Sequence, residues 1–357
     1  AIRSRIKAIA INGTSSTVLL CDAAGKSIAA PILYNDDRGK KVLEKVKAIA
    51  PPNHVVVGAT SSLAKLLWWQ EQPYFEGASF FLHQADWLGW LLHGKLGVSD
   101  YHNSLKLGYD VENLCYPNWL RDRAYSHLYP QVLTPGETVS AISAENCDRL
   151  NLAPDCKIKA GTTDSIAAFL ASGVTKPGEA VTSLGSTLVL KLLSQTKIVA
   201  AEYGIYSHRL GNLWLAGGAS NTGGAVLQHF FEREQLESLS AQIDPAIASP
   251  LDYYPLLTPG DRFPFNDPNL QPRLSPRPKD PAKFLHGLLE GIAKIEALGY
   301  QKLQDLGADK VIRVQTAGGG AKNMVWQKIR QRHLSLPVSQ AKNAEAAYGT
   351  ALLAAKH

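Results

Sequence analysis

AGTTDSIAAFLASG, residues 160–173, is the stretch that decides how this chain is read. The apolar run leading into it, CKIKA at 156–160, predicts a strand, Gly161-Thr162-Thr163 a turn, and Asp164 the start of an Ala-rich helix. A carboxylate at such a corner is held on rigid elements, ready to take a proton from a substrate hydroxyl. The competing role is capping, since Asp is an ordinary N-cap residue. The segments around it bear on which role it plays.

The chain has 357 residues, too many for one typical domain, so two domains are expected. Hydrophobic residues make up 45% and charged residues 19%, the balance of an ordinary globular protein. The net charge of +6 is spread along the chain and suits an anionic small ligand. Lys and Arg are not interleaved with aromatics in runs, which excludes the footprint of a nucleic-acid binder. Cys21, Cys115, Cys147 and Cys156 show no CxxC spacing, so structural zinc is not expected and a reducing, cytoplasmic compartment is, or the plastid stroma for a plant or algal source. No apolar stretch reaches the length of a membrane span, and no membrane partner is expected.

Residues 7–22, KAIAINGTSSTVLLCD, predict a strand, a Gly-Thr-Ser-Ser turn and a second strand. Helices are expected at 40–50, 61–72, 84–93 and, loosely, 117–130. VSDYHNSLKLGYD (98–110) reads as a polar loop. AIRSRIKAIA, at the start, has a helical look. The second half predicts strand-turn-strand at 180–193, strands at 203–208, 212–216, 311–319 and 337–341, and helices at 282–306, from Asn323 and from Glu345. Residues 250–281 hold nine of the twenty prolines and predict an irregular excursion. Hairpins followed by alternating strands and helices give an α/β fold with helices packed on mixed sheets, and the hinge is expected near Ser172-Gly173.

Glycine-rich turns mark the second half: Leu184-Gly185-Ser186-Thr187, Gly217–Gly224, and Thr316–Asn323 with Gly318, Gly319 and Gly320 in a row. Small residues at a strand-to-helix turn let backbone N–H groups approach an anion. Taken alone, the first is better explained as a plain β-turn, and tight strand–helix packing explains the second equally well. For the third, close approach of a flat or anionic ligand is the better reason. None matches the Walker A or GxGxxG pattern.

In this order, the segments resemble the FGGY carbohydrate kinases, which have the actin-like ATPase fold, over practically the whole chain. Tyr34-Asn35-Asp36-Asp37-Arg38 resembles the family's Trp-Asn-Asp-x-Arg loop. Lys65–Trp69 is similar to its Lys-Leu-Leu-Trp helix, and Asp100–Ser104 to its Asp-x-x-Asn-Ala loop. GTTDSIAAF is similar to the segment bearing the catalytic aspartate, SLGST, GGASNTGG and TAGGGAKN to the phosphate and adenosine motifs, and HGLLEGIA (286–293) to the second signature. Within the family, the chain looks nearest to cyanobacterial and plant-type D-ribulose kinases, some of them called xylulose kinases.

The resemblance implies two actin-like (RNase H-like) domains with a cleft between them. Residues 1–171 would form a sugar-binding domain with 345–357 packing back on it, and 172–344 a nucleotide-binding domain. It implies ATP and Mg²⁺ as cofactors, and Asp164 as the general base that deprotonates a pentulose hydroxyl. Ser15, Asp36, Arg38, Asp100 and Asn103 would be on the sugar side. Gly185, Ser186 and Thr187 would face the phosphates, and Gly319, Gly320, Asn323 and Trp326 would bound the adenosine. Without the resemblance, Trp326 reads as a core tryptophan.

Two departures stand out. The family's opening strand with Asp-x-Gly-Thr, whose aspartate helps hold Mg²⁺, has no counterpart in these residues, so the first domain is expected to be N-terminally incomplete, the metal ligands are unassigned, and the 357 residues alone are expected to lack activity. Asn12 stands where the resemblance implies Asp. The expected activity is phosphorylation of D-ribulose to D-ribulose 5-phosphate. The alternatives are D-xylulose phosphorylation or an actin-like sugar- and nucleotide-binding protein that has lost turnover. A sugar hydrolase would need paired carboxylates across a cleft, which the adjacent Asp36 and Asp37 cannot supply.

Overall fold

The computed structural model describes residues 3–355, and the chain divides into two units. Unit 1 is the chain up to Ala171 together with the segment from Glu345, and unit 2 is Ser172–Ala344.

Unit 1 contains strands β1 (Ala8–Gly13), β2 (Val18–Cys21), β3 (Phe80–His83), β4 (Val98–Asp100), β5 (Gln131–Leu133), β6 (Thr138–Ala141) and β7 (Lys157–Thr163). Its helices are α1 (Leu43–Ile49), α2 (Ser62–Gln70), α3 (Gln84–His93), α4 (Tyr101–Ser104), α5 (Asn118–Arg121), α6 (Ala144–Leu150) and α7 (Asp164–Ala171). β1 runs parallel to β7, from Ala8 opposite Lys157 to Gly13 opposite Thr163, and β6 joins β7 antiparallel on its other side. The outer edge of β1 has no strand partner among the described residues.

The structure corrects four sequence readings here. The helical look of the opening segment yields to a 3₁₀ turn at Arg3–Arg5 and then to β1, because β7 offers a parallel ladder to the alternating Ala and Ile residues. The strand-turn-strand at 7–22 is not a hairpin, since β2 leaves β1 and pairs antiparallel with β3. The loop at 98–110 contains β4 and α4, drawn in by a parallel ladder to β5 and an aspartate cap. The helical region at 117–130 is one turn of α5 and a 3₁₀ turn at Ser126–Leu128. Elsewhere local signals hold. Ser61 Oγ accepts the Ala64 N–H at the start of α2, and Gly94, left-handed at φ 76°, closes α3.

In unit 2 the strands are β8 (Glu179–Leu184), β9 (Leu188–Ser194), β10 (Val199–Ala200), β11 (Ile205–Tyr206), β12 (His208–Leu210), β13 (Leu213–Ser220), β14 (Arg313–Ala317) and β15 (Val338–Gln340). The helices are α8 (Gly224–Phe230), α9 (Arg233–Ser240), α10 (Pro281–Asp305) and α11 (Met324–Leu334). The main sheet has the order β12-β13-β9-β8-β14-β15, antiparallel as far as β8 and parallel from β8 through β14 to β15. α10 begins with Pro281, its N-cap Asp280 accepting the Ala282 and Lys283 N–H groups. It buries Phe284, Leu285, Leu288, Ile292 and Ile295 at helical spacing against Leu190 and Leu192 of β9. The last helix, α12 (Ala346–Ala355), lies against α7 and β1 in unit 1. A Cβ on its Gly349 would meet the Ala167 carbonyl oxygen of α7 at 1.8 Å, so only glycine permits this helix crossing.

Candidate active site

Unit 1 places Ser15 and Asp164 at the carboxyl ends of β1 and β7, the edge where open α/β sheets bind ligands. Gly13 is opposite Thr163, so the loop carrying Ser15 and the helix opening with Asp164 leave the sheet side by side. Gly13 is required there, because a Cβ would come within 2.8 Å of the Ala85 nitrogen at the start of α3. The capping role predicted as an alternative for Asp164 falls to Thr163, whose Oγ1 accepts the Ile166 N–H at 3.4 Å. The half-buried Asp164 carboxylate accepts only the neighbouring Ser165 N–H, at 2.7 Å, and has no ion pair among the described residues.

The Ser15 loop is tied down from two sides. Gln84 Oε1 accepts the Thr14 N–H at 2.9 Å and the Thr14 hydroxyl at 3.0 Å, while the Gln84 N–H donates to the Thr17 carbonyl. Thr17 Oγ1 accepts the Tyr34 N–H at 3.0 Å, which draws in the loop of Asp36 and Arg38. Those two side chains form a bidentate pair at 2.9 and 2.7 Å, and the Arg38 guanidinium stacks 4.6 Å from the Trp68 ring. The hydrogen bond from the Arg38 side chain brings the Asp36 carboxyl down to about 2.

Asp100 and Asn103 sit where β4 turns into α4. Both side chains are sealed from the surface, and the Asp100 carboxylate accepts the His102 N–H, the Asn103 N–H and the Asn103 amide. Burial pushes its carboxyl up to about 6. Through these bonds the pair braces the β4–α4 corner. The same α4 turn reaches β7 through His102, which shares a 2.8 Å hydrogen bond with the Thr162 hydroxyl. The Asn12 amide donates to the Thr350 hydroxyl of α12 at 2.8 Å.

Unit 2 contains a cavity of about 920 Å³, a volume that fits a nucleotide. Gly185, Ser186, Gly319, Gly320, Asn323 and Trp326 all line it. Thr187 is not among the lining residues, because its backbone packs against Gly223, where a Cβ would lie 2.7 Å from the Thr187 carbonyl carbon. The second glycine segment is also reassigned: Gly217–Ser220 belong to β13, and the turn is only Asn221–Gly223. Its helix does not offer an open anion site. The Gly224 and Ala225 N–H groups donate to the Gly185 and Ser186 carbonyls at 2.8 and 3.1 Å, clipping the β8–β9 tip to α8.

The triple glycine divides its work. Gly318 is left-handed at φ 83°, and a Cβ there would meet the Leu184 carbonyl oxygen at 2.6 Å. A Cβ on Gly320 would lie 2.7 Å from Trp326 Cζ3, whereas one on Gly319 would meet nothing within 4 Å. Packing thus accounts for two of the three, and Gly319 alone is open to a close-lying ligand. Asn323 caps α11 by accepting the Trp326 N–H at 2.9 Å and donates its amide to Ser240 Oγ at 2.8 Å, linking α11 to α9. Trp326 is a buried core residue whose edge also lines the cavity. The α9 wall, with Arg233, Leu236 and Ser240, was missed in sequence. Its capping box, from Glu232 to Gln235, was the signal available.

A buried network joins α11 and β8 to α10 and β14. Arg330 of α11 binds Glu296 of α10 at 2.6 and 2.7 Å and Thr316 of β14 at 2.7 Å, while Thr182 of β8 bonds to Glu296 and Tyr300.

Residues 180–357 match the FGGY family of carbohydrate kinases, C-terminal domain. The chain belongs to the FGGY family. This carbohydrate kinase is 24% identical to the xylulose kinase of Escherichia coli strain K12 over 344 residues, 91% of this chain and 70% of that one. It is 27% identical to the ribulokinase of Shouchella clausii over 138 residues, 35% of this chain and 24% of that one. Its fold is similar to that of the xylulose kinase from Rhodospirillum rubrum, with a TM-score of 0.81 at 24% identity, covering 98% of this chain and 75% of that one. The mixed α/β architecture is therefore the fold of the FGGY kinases, whose phosphate donor is ATP. Among the described residues, no helix is long and apolar enough to cross a membrane.

Proposed function

We propose that this FGGY kinase transfers the γ-phosphoryl group of ATP to the terminal hydroxyl of D-ribulose, giving D-ribulose 5-phosphate, with Asp164 as general base. The observation that carries the reading is the register of β1 and β7, with Gly13 opposite Thr163 and the Ser15 loop beside Asp164. Asp164 accepts the hydroxyl proton as the oxygen attacks phosphorus, and Ser15 with the Asp36–Arg38 pair orients the sugar. Such transfer is mostly positioning and charge neutralisation, so a carboxylate without a competing ion pair suits the role.

ATP is assigned to the cavity of unit 2, its adenosine against Asn323 and Trp326 and its phosphates toward Gly185, Ser186, Gly319 and Gly320. The open sides of Gly185 and Gly319 and the nearby Lys322 and Arg233 support that fit. The described residues contain no cluster of three or more His, Cys, Asp or Glu able to hold a metal ion. Mg²⁺ is assigned to the ATP phosphates, whose charge it would offset.

D-xylulose is the second reading, favoured by the names of the Escherichia coli and Rhodospirillum rubrum relatives. ATP-dependent turnover measured with each sugar separates the two, and a higher kcat/KM for D-xylulose overturns the first. Asp164→Asn is expected to lower kcat by about 10²- to 10⁴-fold with ADP binding unchanged. Wild-type turnover in that variant removes Asp164 from the chemistry. Sugar and ADP binding that persists without turnover even when the family's Asp-x-Gly-Thr strand is supplied would instead identify a binding protein.

A further inference from the structure

We propose that Lys65 is a positioning residue for the sugar, its ammonium locking the Ser15 loop and the Asp36–Arg38 loop into one binding surface. This rests on the reading that unit 1 holds the sugar. Lys65 lies on the first turn of α2 and is completely buried, a state lysine rarely adopts without a carboxylate partner. Here no carboxylate pairs with it among the described residues. Its Nζ donates instead to the Ser16 and Leu33 carbonyls, each at 2.7 Å, with the Tyr34 carbonyl at 3.5 Å.

An ammonium has three protons and no acceptor, and these contacts give it main-chain oxygens from two separate loops. Burying it without a counter-ion is costly, and α2 needs no such group for its own packing, which Leu63, Leu66 and Trp69 provide. What the charge secures is the course of the loops. Ser16 is held in the left-handed region at φ 65°, uncommon for a residue with a side chain. Its carbonyl points at Nζ, and its hydroxyl is buried without a partner. Tyr34 is two residues before Asp36, so the same cation fixes the approach of the carboxylate that holds Arg38.

Burial brings the Lys65 amine down to about 8, while Asp36 opposes the shift and Lys106 and Arg38 add to it. Above that pH the amine is neutral, one donor is lost and the hydrogen bonds weaken. Sugar affinity should therefore fall as pH rises through about 8.

The test measures steady-state kinetics for both substrates in the wild-type protein and in Lys65→Met and Lys65→Arg, together with amide hydrogen exchange of residues 14–17 and 33–38. Lys65→Met is expected to raise the sugar KM at least tenfold, with kcat and the ATP KM changed less than twofold, and to speed exchange in both loops. Lys65→Arg is expected to recover part of the affinity and to remove the alkaline fall. Unchanged sugar KM and unchanged exchange in Lys65→Met overturn the proposal, as does a wild-type sugar KM that stays flat from pH 7 to 9. Faster exchange in both loops of the variant, with no sugar dependence in the wild-type protein, keeps the clamp and removes the assignment of sugar to unit 1. Should Lys65→Met fail to bind ADP or to fold, the wild-type profile between pH 7 and 9 decides.

Discussion

Arg330 and Glu296 are buried charges that each satisfy the other, and removing one leaves an uncompensated charge in the core. Arg330→Met is therefore expected to destabilise unit 2 by roughly 3–5 kcal/mol, read as a lower denaturant midpoint for exchange of the α10 amides. Adding Glu296→Leu should recover most of that loss, and a double variant no better than the single one would contradict the account. Glu290 presents the matching problem in pH. Burial alone would raise its carboxyl, but hydrogen bonds from His333 and Arg332 outweigh burial and bring it down to about 2. A folded value below the unfolded one, about 4.3, contributes stability that is fully present above that pH. The contribution is lost as pH falls toward 2, so Glu290→Gln should lower stability near neutral pH and flatten the acid limb of the stability profile.

At the level of elements, the cavity of unit 2 depends on how closely a strand end and a helix start can approach. Gly320→Ala puts a methyl group 2.7 Å from Trp326 and 2.8 Å from Leu184 Cβ. It should weaken ADP binding at least tenfold in calorimetry while leaving hydrogen exchange in unit 1 unchanged. Asn323→Ala removes the α11 cap and the link to Ser240, and about 1 kcal/mol of helix stability is expected to go with the cap. In unit 1 the corresponding tight point is the α7–α12 crossing at Gly349. Gly349→Val should separate the two helices, lower the thermal midpoint of unit 1 and reduce turnover by displacing Asp164. A variant with wild-type midpoint and turnover would show that the crossing does not govern that residue.

At the scale of the whole molecule, the helices that carry their own punctuation were legible from residues alone. α3 ends where Gly94 says it should, and α10 and α11 begin beside Asp280 and Asn323, because caps and periodic apolar faces are local chemistry. The same holds for the glycine segments around Gly185 and Gly319 and for the helix start at Asp164, although Gly161–Thr163 continue β7 where a turn was expected, drawn into the ladder with β1. Pairing was another matter. Nothing local told β2 to leave β1 for β3, or made a strand and a capped turn of residues 98–104, since ladders join residues distant in the chain. Burial likewise decided the fate of side chains with identical chemistry. Asp164 and Asp100 are both aspartates at strand-to-helix corners, yet one carboxylate is left with a single backbone bond and the other is consumed by three donors. The amino-acid order by itself determined the family, the α/β class and the positions of the chemically able residues, because those are written in short-range patterns. Only the tertiary structure decided which carboxylate stays available, which glycine faces the cavity and which buried cation holds the loops, because each depends on atoms brought together from remote parts of the chain.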